Sequence, residues 1–199
     1  MRTLPRILTR HGSLGTELSM FEQKIKDKSA LVAIVGLGYV GLPLAVAFAE
    51  AGIRVLGFDV QQKRADLVNR GESYIGDVDS ERLLALRSKG LVEATTDQNR
   101  LSEADAICIC VPTPLTKTKD PDLSYVTHEA EEILPRLKPG QVIILESTTY
   151  PGTTRQVVQP ILERSGLKAG TDFYLAFSPE RVDPGSKKHS VKNTPKLVG

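Results

Sequence analysis

Gly36, Gly38 and Gly41 stand in G-x-G-x-x-G spacing within "VAIVGLGYVGLPLAVAFAEAGIRVLGFDV", and Asp59 lies near the end of the same stretch. The spacing suits one chemical task. The first glycine allows a tight turn, the second lets backbone approach a pyrophosphate, and the third lets a helix pack closely on a strand. A helix that opens there turns its unpaired N–H groups toward the phosphates. Asp59 ends the next apolar run, where a carboxylate can accept both hydroxyls of an adenosine ribose. Its negative charge favours NAD over NADP, whose 2′-phosphate it would repel. Arg64 either reaches the cofactor phosphates or faces solvent on its helix. A bare Gly-rich turn would explain the triplet. It gives no reason for strand, triplet, helix, strand and terminal acid in that order.

A second set of reactive residues follows other apolar runs. In "YLAFSPERVDPG" the apolar stretch from Phe173 to Phe177 is stopped by Pro179, and Glu180 and Arg181 come at once. Thr113 in "VPTP" and Thr148 in "ESTTYPGTT" hold similar places. A carboxylate beside a reacting carbon can guide a water and take its proton, worth ~10²–10⁴-fold in rate. A solvated ion pair on a surface turn would read the same, and Thr148 can equally cap a helix through "PGTTRQVV". Cys108 and Cys110, two apart on a strand, share a face but cannot readily bridge. They have no metal-ligating company and read as buried thiols in a reducing, cytoplasmic compartment.

Parallel strands are predicted at "LVAIVG" (31–36), "RVLGFD" (54–59), "AICICV" (106–111), "QVIILE" (141–146), "FYLAF" (173–177) and "KLVG" (196–199). A weaker strand is predicted at "VEATTD" (92–97), with a helical turn before Asp105. Helices are predicted over 40–51, 61–70, 79–89, 124–137 and 151–165. Near-continuous apolar strands separated by helices require a sheet covered on both faces, an α/β doubly wound, mostly parallel Rossmann-like fold. Ligands of such sheets bind outside the carboxyl ends of the strands, where Thr113, Thr148 and Glu180 all fall. Ahead of the first strand, "ELSMFEQKIKDK" (17–28) spaces Leu18, Phe21 and Ile25 at helical intervals. Residues 1–28 therefore form a tail and leading helix, and 29–199 one nucleotide-binding domain.

With 199 residues, 40% hydrophobic and 25% charged, the chain has the balance of one well-buried domain. A net charge of +2, spread along the chain, argues against a nucleic-acid surface. No apolar run reaches the ~18 residues that a membrane span needs.

"GLGYVGLPLA", "VPTP", "ESTTYPGTT" and "SPERVDPG", in this order and spacing, resemble the N-terminal domain of the UDP-glucose/GDP-mannose dehydrogenase family. The Ser-Pro-Glu-Arg form is similar to its bacterial UDP-N-acetylhexosamine 6-dehydrogenases, which make uronic acids for surface polysaccharides. The resemblance covers about residues 20–199. It implies oxidation of a sugar C6 alcohol to a carboxylate in two NAD-dependent steps, through an aldehyde, a thiohemiacetal and a thioester. It places Tyr39 and Val40 against the cofactor, with Asp59 and Arg64 at its adenosine and phosphate end. Thr113 would line the groove, and Thr148 would lie beside the nicotinamide and help hold a water. Glu180 would serve the water that hydrolyses the thioester, and Arg181 and Val182 would contact the nucleotide sugar. UDP-glucose is the alternative substrate.

The resemblance also implies parts that this sequence does not contain. The nucleophilic cysteine belongs to a G-x-G-G-x-C segment, which neither Cys108 nor Cys110 matches. The central helix, with its lysine, asparagine and dimer contacts, is absent, as is the second domain that closes over UDP. The chain is expected to be an N-terminal domain or a truncated product, binding NAD weakly and inactive alone. A full-length enzyme would be a homo-oligomer, and the shorter chain a monomer. Two rivals are a β-hydroxyacid or 6-phosphogluconate-type dehydrogenase, which leaves "ESTTYPGTT" and "SPERVDPG" unexplained, and a non-catalytic NAD-binding domain.

Overall fold

The computed structural model describes residues 14–179 and 197–199. Six parallel strands form one sheet in the order β3-β2-β1-β4-β5-β6. They are β1 (Leu31–Val35), β2 (Arg54–Phe58), β3 (Val92–Thr95), β4 (Ala106–Ile109), β5 (Val142–Leu145) and β6 (Tyr174–Phe177). The chain lays down β1, β2 and β3 in one direction, then returns to place β4 on the other side of β1. That reversal opens a crevice at the carboxyl ends of β1 and β4.

The strands are apolar on both faces because helices cover both. One face carries α2 (Gly41–Glu50), α3 (Gln62–Arg70) and α4 (Ser80–Ser88), packed through Leu42, Ala45, Ala49, Val68 and Leu83 onto Val32, Ile34 and Val55. The opposite face carries α5 (Ser124–Ile133) and α6 (Gln159–Leu162), with Val126, Ala130, Ile133, Val158 and Leu162 on Val35, Phe58, Ile107 and Leu145. Each buried Val, Leu, Ile or Phe among them contributes about 1.5–3 kcal/mol. The element ends follow local chemistry. Gly71, at φ 75°, closes α3 in the left-handed region, and Asp79 starts α4 by accepting the Glu81 and Arg82 amides.

The leading helix α1 (Leu14–Lys26) lies against the first face through Phe21. Its Lys24 ammonium donates to Asp105 at 2.6 Å, and the same carboxylate accepts the Leu31 amide at 2.9 Å. Helix and sheet are thus tied at the amino ends of β1 and β4.

Two predicted elements differ. The single helix over 151–165 is a composite: a π-helical turn at Thr154–Val158, then α6, then a 3₁₀ turn at Glu163–Ser165. Pro160 is the cause. It has no N–H to give and its ring crowds the carbonyl one turn back, so the helix widens and Gln159 bonds to Thr154 instead. The "KLVG" strand is not formed within 197–199, and the rest of that segment lies outside the described residues. Gly199 nevertheless exchanges two backbone hydrogen bonds with Phe177, at 2.7 and 3.0 Å, on the outer edge of β6. Cys108 and Cys110 are buried on the first face and form no disulfide. Among the described residues no helix is long and apolar enough to cross a membrane.

Candidate functional site

The glycine loop turns directly out of β1. Gly36 holds φ at 93°, and a Cβ there would lie 2.7 Å from the Cys110 carbonyl oxygen, so the loop is pressed against the end of β4. At Gly41 a Cβ would sit 1.8 Å from the Gly36 oxygen and 3.1 Å from Ile34 Cγ2, which keeps α2 close to β1. Gly38 is the opposite case: a Cβ there meets nothing within 4 Å. Crowded glycines thus flank one that opens onto empty space, the arrangement in which a pyrophosphate can approach backbone. Helix α2 has no side-chain cap at Val40 and no acid in its first turn, so its own first turn leaves its positive end open to an anion. These features fit a dinucleotide. Tyr39, 65% exposed, projects beside them.

Asp59 is 5% exposed and accepts three hydrogen bonds. One carboxylate oxygen accepts the Leu37 amide at 3.1 Å and Arg64 Nη1 at 3.1 Å, and the other accepts the Gln61 amide at 2.9 Å. Arg64, on α3, turns toward this carboxylate with its side chain 37% exposed. It pairs with Asp59, and its guanidinium carbon stands 5.7 Å from the centre of the Tyr74 ring. Tyr74 in turn donates its hydroxyl to the Leu37 carbonyl at 2.7 Å. Burial, with the Asp59 charge adding to it, pushes the Tyr74 phenol up to about 12.

Two residues here escaped the sequence reading. Tyr74 sits in a connection between helices, and no spacing rule links it to a loop that precedes it by 37 residues. Gly57 reads as a strand residue, yet a Cβ on it would come within 2.7 Å of Leu37 Cδ2 beneath the loop. A glycine inside an apolar strand is the signal that could have revealed the second.

At the neighbouring strand ends, Thr113 and Thr148 meet: the Thr113 hydroxyl donates to the Thr148 carbonyl at 2.6 Å. Below them Ser147 donates to the Val111 carbonyl at 2.7 Å and fastens the β4 and β5 loops together. Thr148 is exposed, and the following helix begins at Thr153, so Thr148 is not its cap. Thr149 Oγ1 and Ser178 Oγ, also just past β5 and β6, are buried without a partner among the described residues. The loops holding Gly36, Thr113 and Thr148 leave three adjacent parallel strands on one edge of the sheet. Glu180, Arg181 and Val182 lie outside the described residues, two positions and more beyond Ser178.

Residues 30–199 match the UDP-glucose/GDP-mannose dehydrogenase family, NAD binding domain. A UDP-N-acetyl-D-glucosamine 6-dehydrogenase of Salmonella typhi is 40% identical over 168 residues, 84% of this chain and 39% of that protein. A UDP-N-acetyl-D-mannosamine dehydrogenase of Pyrococcus horikoshii is 35% identical over 84% of this chain and 40% of its own length. The crystal structure of an NDP-N-acetyl-D-galactosaminuronic acid dehydrogenase from Methanosarcina mazei Go1 superposes with a TM-score of 0.77. It is 36% identical, and the match covers 89% of this chain and 40% of that one. The chain thus spans about two fifths of the length of the curated relatives it matches.

Proposed function

The chain belongs to the UDP-glucose/GDP-mannose dehydrogenase family, as its NAD binding domain, and from that membership we propose that it serves an oxidation of a UDP-N-acetylhexosamine at C6. The product is the uronic acid, a building block for surface polysaccharide made in the cytoplasm. The alcohol, one water and two NAD give a carboxylate, two NADH and released protons. The observation that carries the reading is the shared edge: glycine loop, Asp59, and the Thr113–Thr148 contact all stand at the carboxyl ends of adjacent strands.

NAD held there would supply the hydride acceptor for the sugar carbon. The chain's own residues would hold the cofactor and the water, while the nucleophile belongs to the part of the enzyme that this chain does not span. The open backbone at Gly38 and the uncapped start of α2 take the pyrophosphate. Asp59 selects the unphosphorylated ribose. Thr148, held by Thr113, presents its hydroxyl to a water at the nicotinamide end. Glu180 takes that water's proton, while Arg181 and Val182 contact the sugar nucleotide.

Calorimetry of the 199-residue chain against millimolar NAD and NADP tests the first half, with NAD expected to bind and NADP to bind more weakly. The second half is tested by joining the chain to the C-terminal portion of the Salmonella typhi relative. Supplied with NAD and UDP-N-acetylglucosamine, the joined enzyme is expected to form two NADH per sugar. Thr148→Ala and Glu180→Gln should each lower turnover by about 10²–10⁴-fold. A joined enzyme that binds NAD yet oxidises no UDP-sugar would overturn the reaction.

A further inference from the structure

We propose that Tyr74 is a positioning residue for the cofactor, acting on the pyrophosphate loop through its hydroxyl and on NAD-over-NADP selection through its ring. This rests on the NAD reading of the site. Tyr74 bridges two parts that the sequence keeps apart. Its hydroxyl donates to the carbonyl of Leu37, the residue between the first two glycines. Its ring faces the Arg64 guanidinium at 5.7 Å, and that guanidinium bonds Asp59.

Leu37 closes the circuit. Its amide donates to the same Asp59 oxygen that accepts Arg64, and its carbonyl accepts Tyr74. One residue of the glycine loop is therefore clamped at both its N–H and its C=O. The clamp orients the peptide that leads into Gly38, where nothing of the protein fills the space. Fixing that peptide before the ligand arrives reduces the ordering cost of binding. Both cofactors carry the same pyrophosphate, so this effect is common to them.

The ring does something different. Arg64 is 37% exposed, while the Asp59 side chain is 3% exposed, so the cation lies over the carboxylate on the solvent side. Stacked on Tyr74 and bonded to Asp59, the guanidinium is held inward. Without the ring it is held by the Asp59 bond alone, and it can exchange that bond for a 2′-phosphate, which a guanidinium binds well. Tyr74 thereby keeps a latent phosphate-binding group occupied.

The test is calorimetry of NAD and NADP with the 199-residue chain and four variants, with thermal unfolding run alongside. Tyr74→Phe keeps the ring and loses the bond to Leu37. It should weaken NAD and NADP alike, by about 2–10-fold, with their ratio unchanged. Tyr74→Leu loses both contacts and should in addition narrow the NAD preference by about 2–5-fold. Arg64→Leu leaves Tyr74 on Leu37 but removes the cation, so the NAD preference should widen. In the Arg64→Leu background, Tyr74→Leu should no longer change the ratio.

A purely structural tyrosine would weaken both cofactors equally in every variant and move no ratio, and that result overturns the proposal. So does a Tyr74→Leu effect on the ratio that persists without Arg64. Should Tyr74→Leu not fold, the opposed ratios expected of Tyr74→Phe (unchanged) and Arg64→Leu (widened) still decide the matter. Failure of the parent chain to bind NAD at all would instead bring down the site reading on which this stands.

Discussion

Gly38→Ala separates folding from binding at a single methyl group. Gly38 keeps φ outside the left-handed region, and a Cβ built on it finds no atom within 4 Å. Alanine is therefore tolerated by the folded chain, and it restricts the unfolded one. The expected gain is about 0.4–1 kcal/mol, a rise in Tm of about 1–4 °C for a chain of this size. The same empty space is where a pyrophosphate would touch backbone, and a methyl placed in a close contact costs about 1–3 kcal/mol. At 1.4 kcal/mol per decade, NAD affinity should fall by about 5–140-fold. Gly41→Ala is the counterpart. Its Cβ would lie 1.8 Å from the Gly36 oxygen, so helix and loop must separate, and the chain should lose about 1–3 kcal/mol or more. Differential scanning fluorimetry reads stability and calorimetry reads affinity on the same samples. A Gly38→Ala chain that binds NAD as the parent does would refute the backbone-approach argument. An unaltered midpoint in Gly41→Ala would refute the packing argument.

Two further outcomes follow from groups away from the cleft. Asp105 holds both Lys24 and the Leu31 amide, so Asp105→Ala should lower stability by about 1–3 kcal/mol in urea titration, whereas Lys24→Ala, which breaks only a partly exposed ion pair, should cost less than about 1 kcal/mol. Equal losses would show that the amide contact does not matter. Glu129, on α5, is 5% exposed, and one of its oxygens lacks a hydrogen-bond partner among the described residues; burial raises its pKa above the usual carboxylate range, with Glu132 and Asp59 adding to the rise and His128 opposing it. A raised pKa in the folded state means that the charged form destabilises the fold. This cost is absent below the unfolded pKa and grows as pH rises through the folded one. Glu129→Gln should therefore stabilise the chain more at about pH 8 than at about pH 4. A gain that is constant across that range would place the carboxyl in a better-solvated setting.

Much of the architecture was legible because its signals are short-range. Apolar runs bounded by amphipathic stretches marked β1, β2, β4, β5 and β6, and the weaker strand read at 92–97 is β3. The helix composite near Pro160 was misread as one helix, since periodicity records which residues are apolar but not where a missing N–H forces a wider turn. The "KLVG" segment reads as a strand by composition. Its described part meets β6 only through Gly199, because edge pairing depends on what lies beside it.

Local sequence was sufficient for the glycine loop and Asp59, since turn, helix start and strand end fall within one continuous βαβ stretch and their geometry follows from backbone sterics. Which strands become neighbours is a matter of long-range packing. The placement of β4 between β1 and β5 is what pressed Gly36 against Cys110 on one side and brought Thr113 to Thr148 on the other. The Tyr74–Leu37–Asp59–Arg64 circuit belongs to that second kind. Its members come from the glycine loop, a strand end, helix α3 and the connection between α3 and α4, and no period along the chain relates them. They meet because the α2, α3 and α4 side of the sheet buries its apolar face as one layer, leaving their polar ends to satisfy one another at its rim.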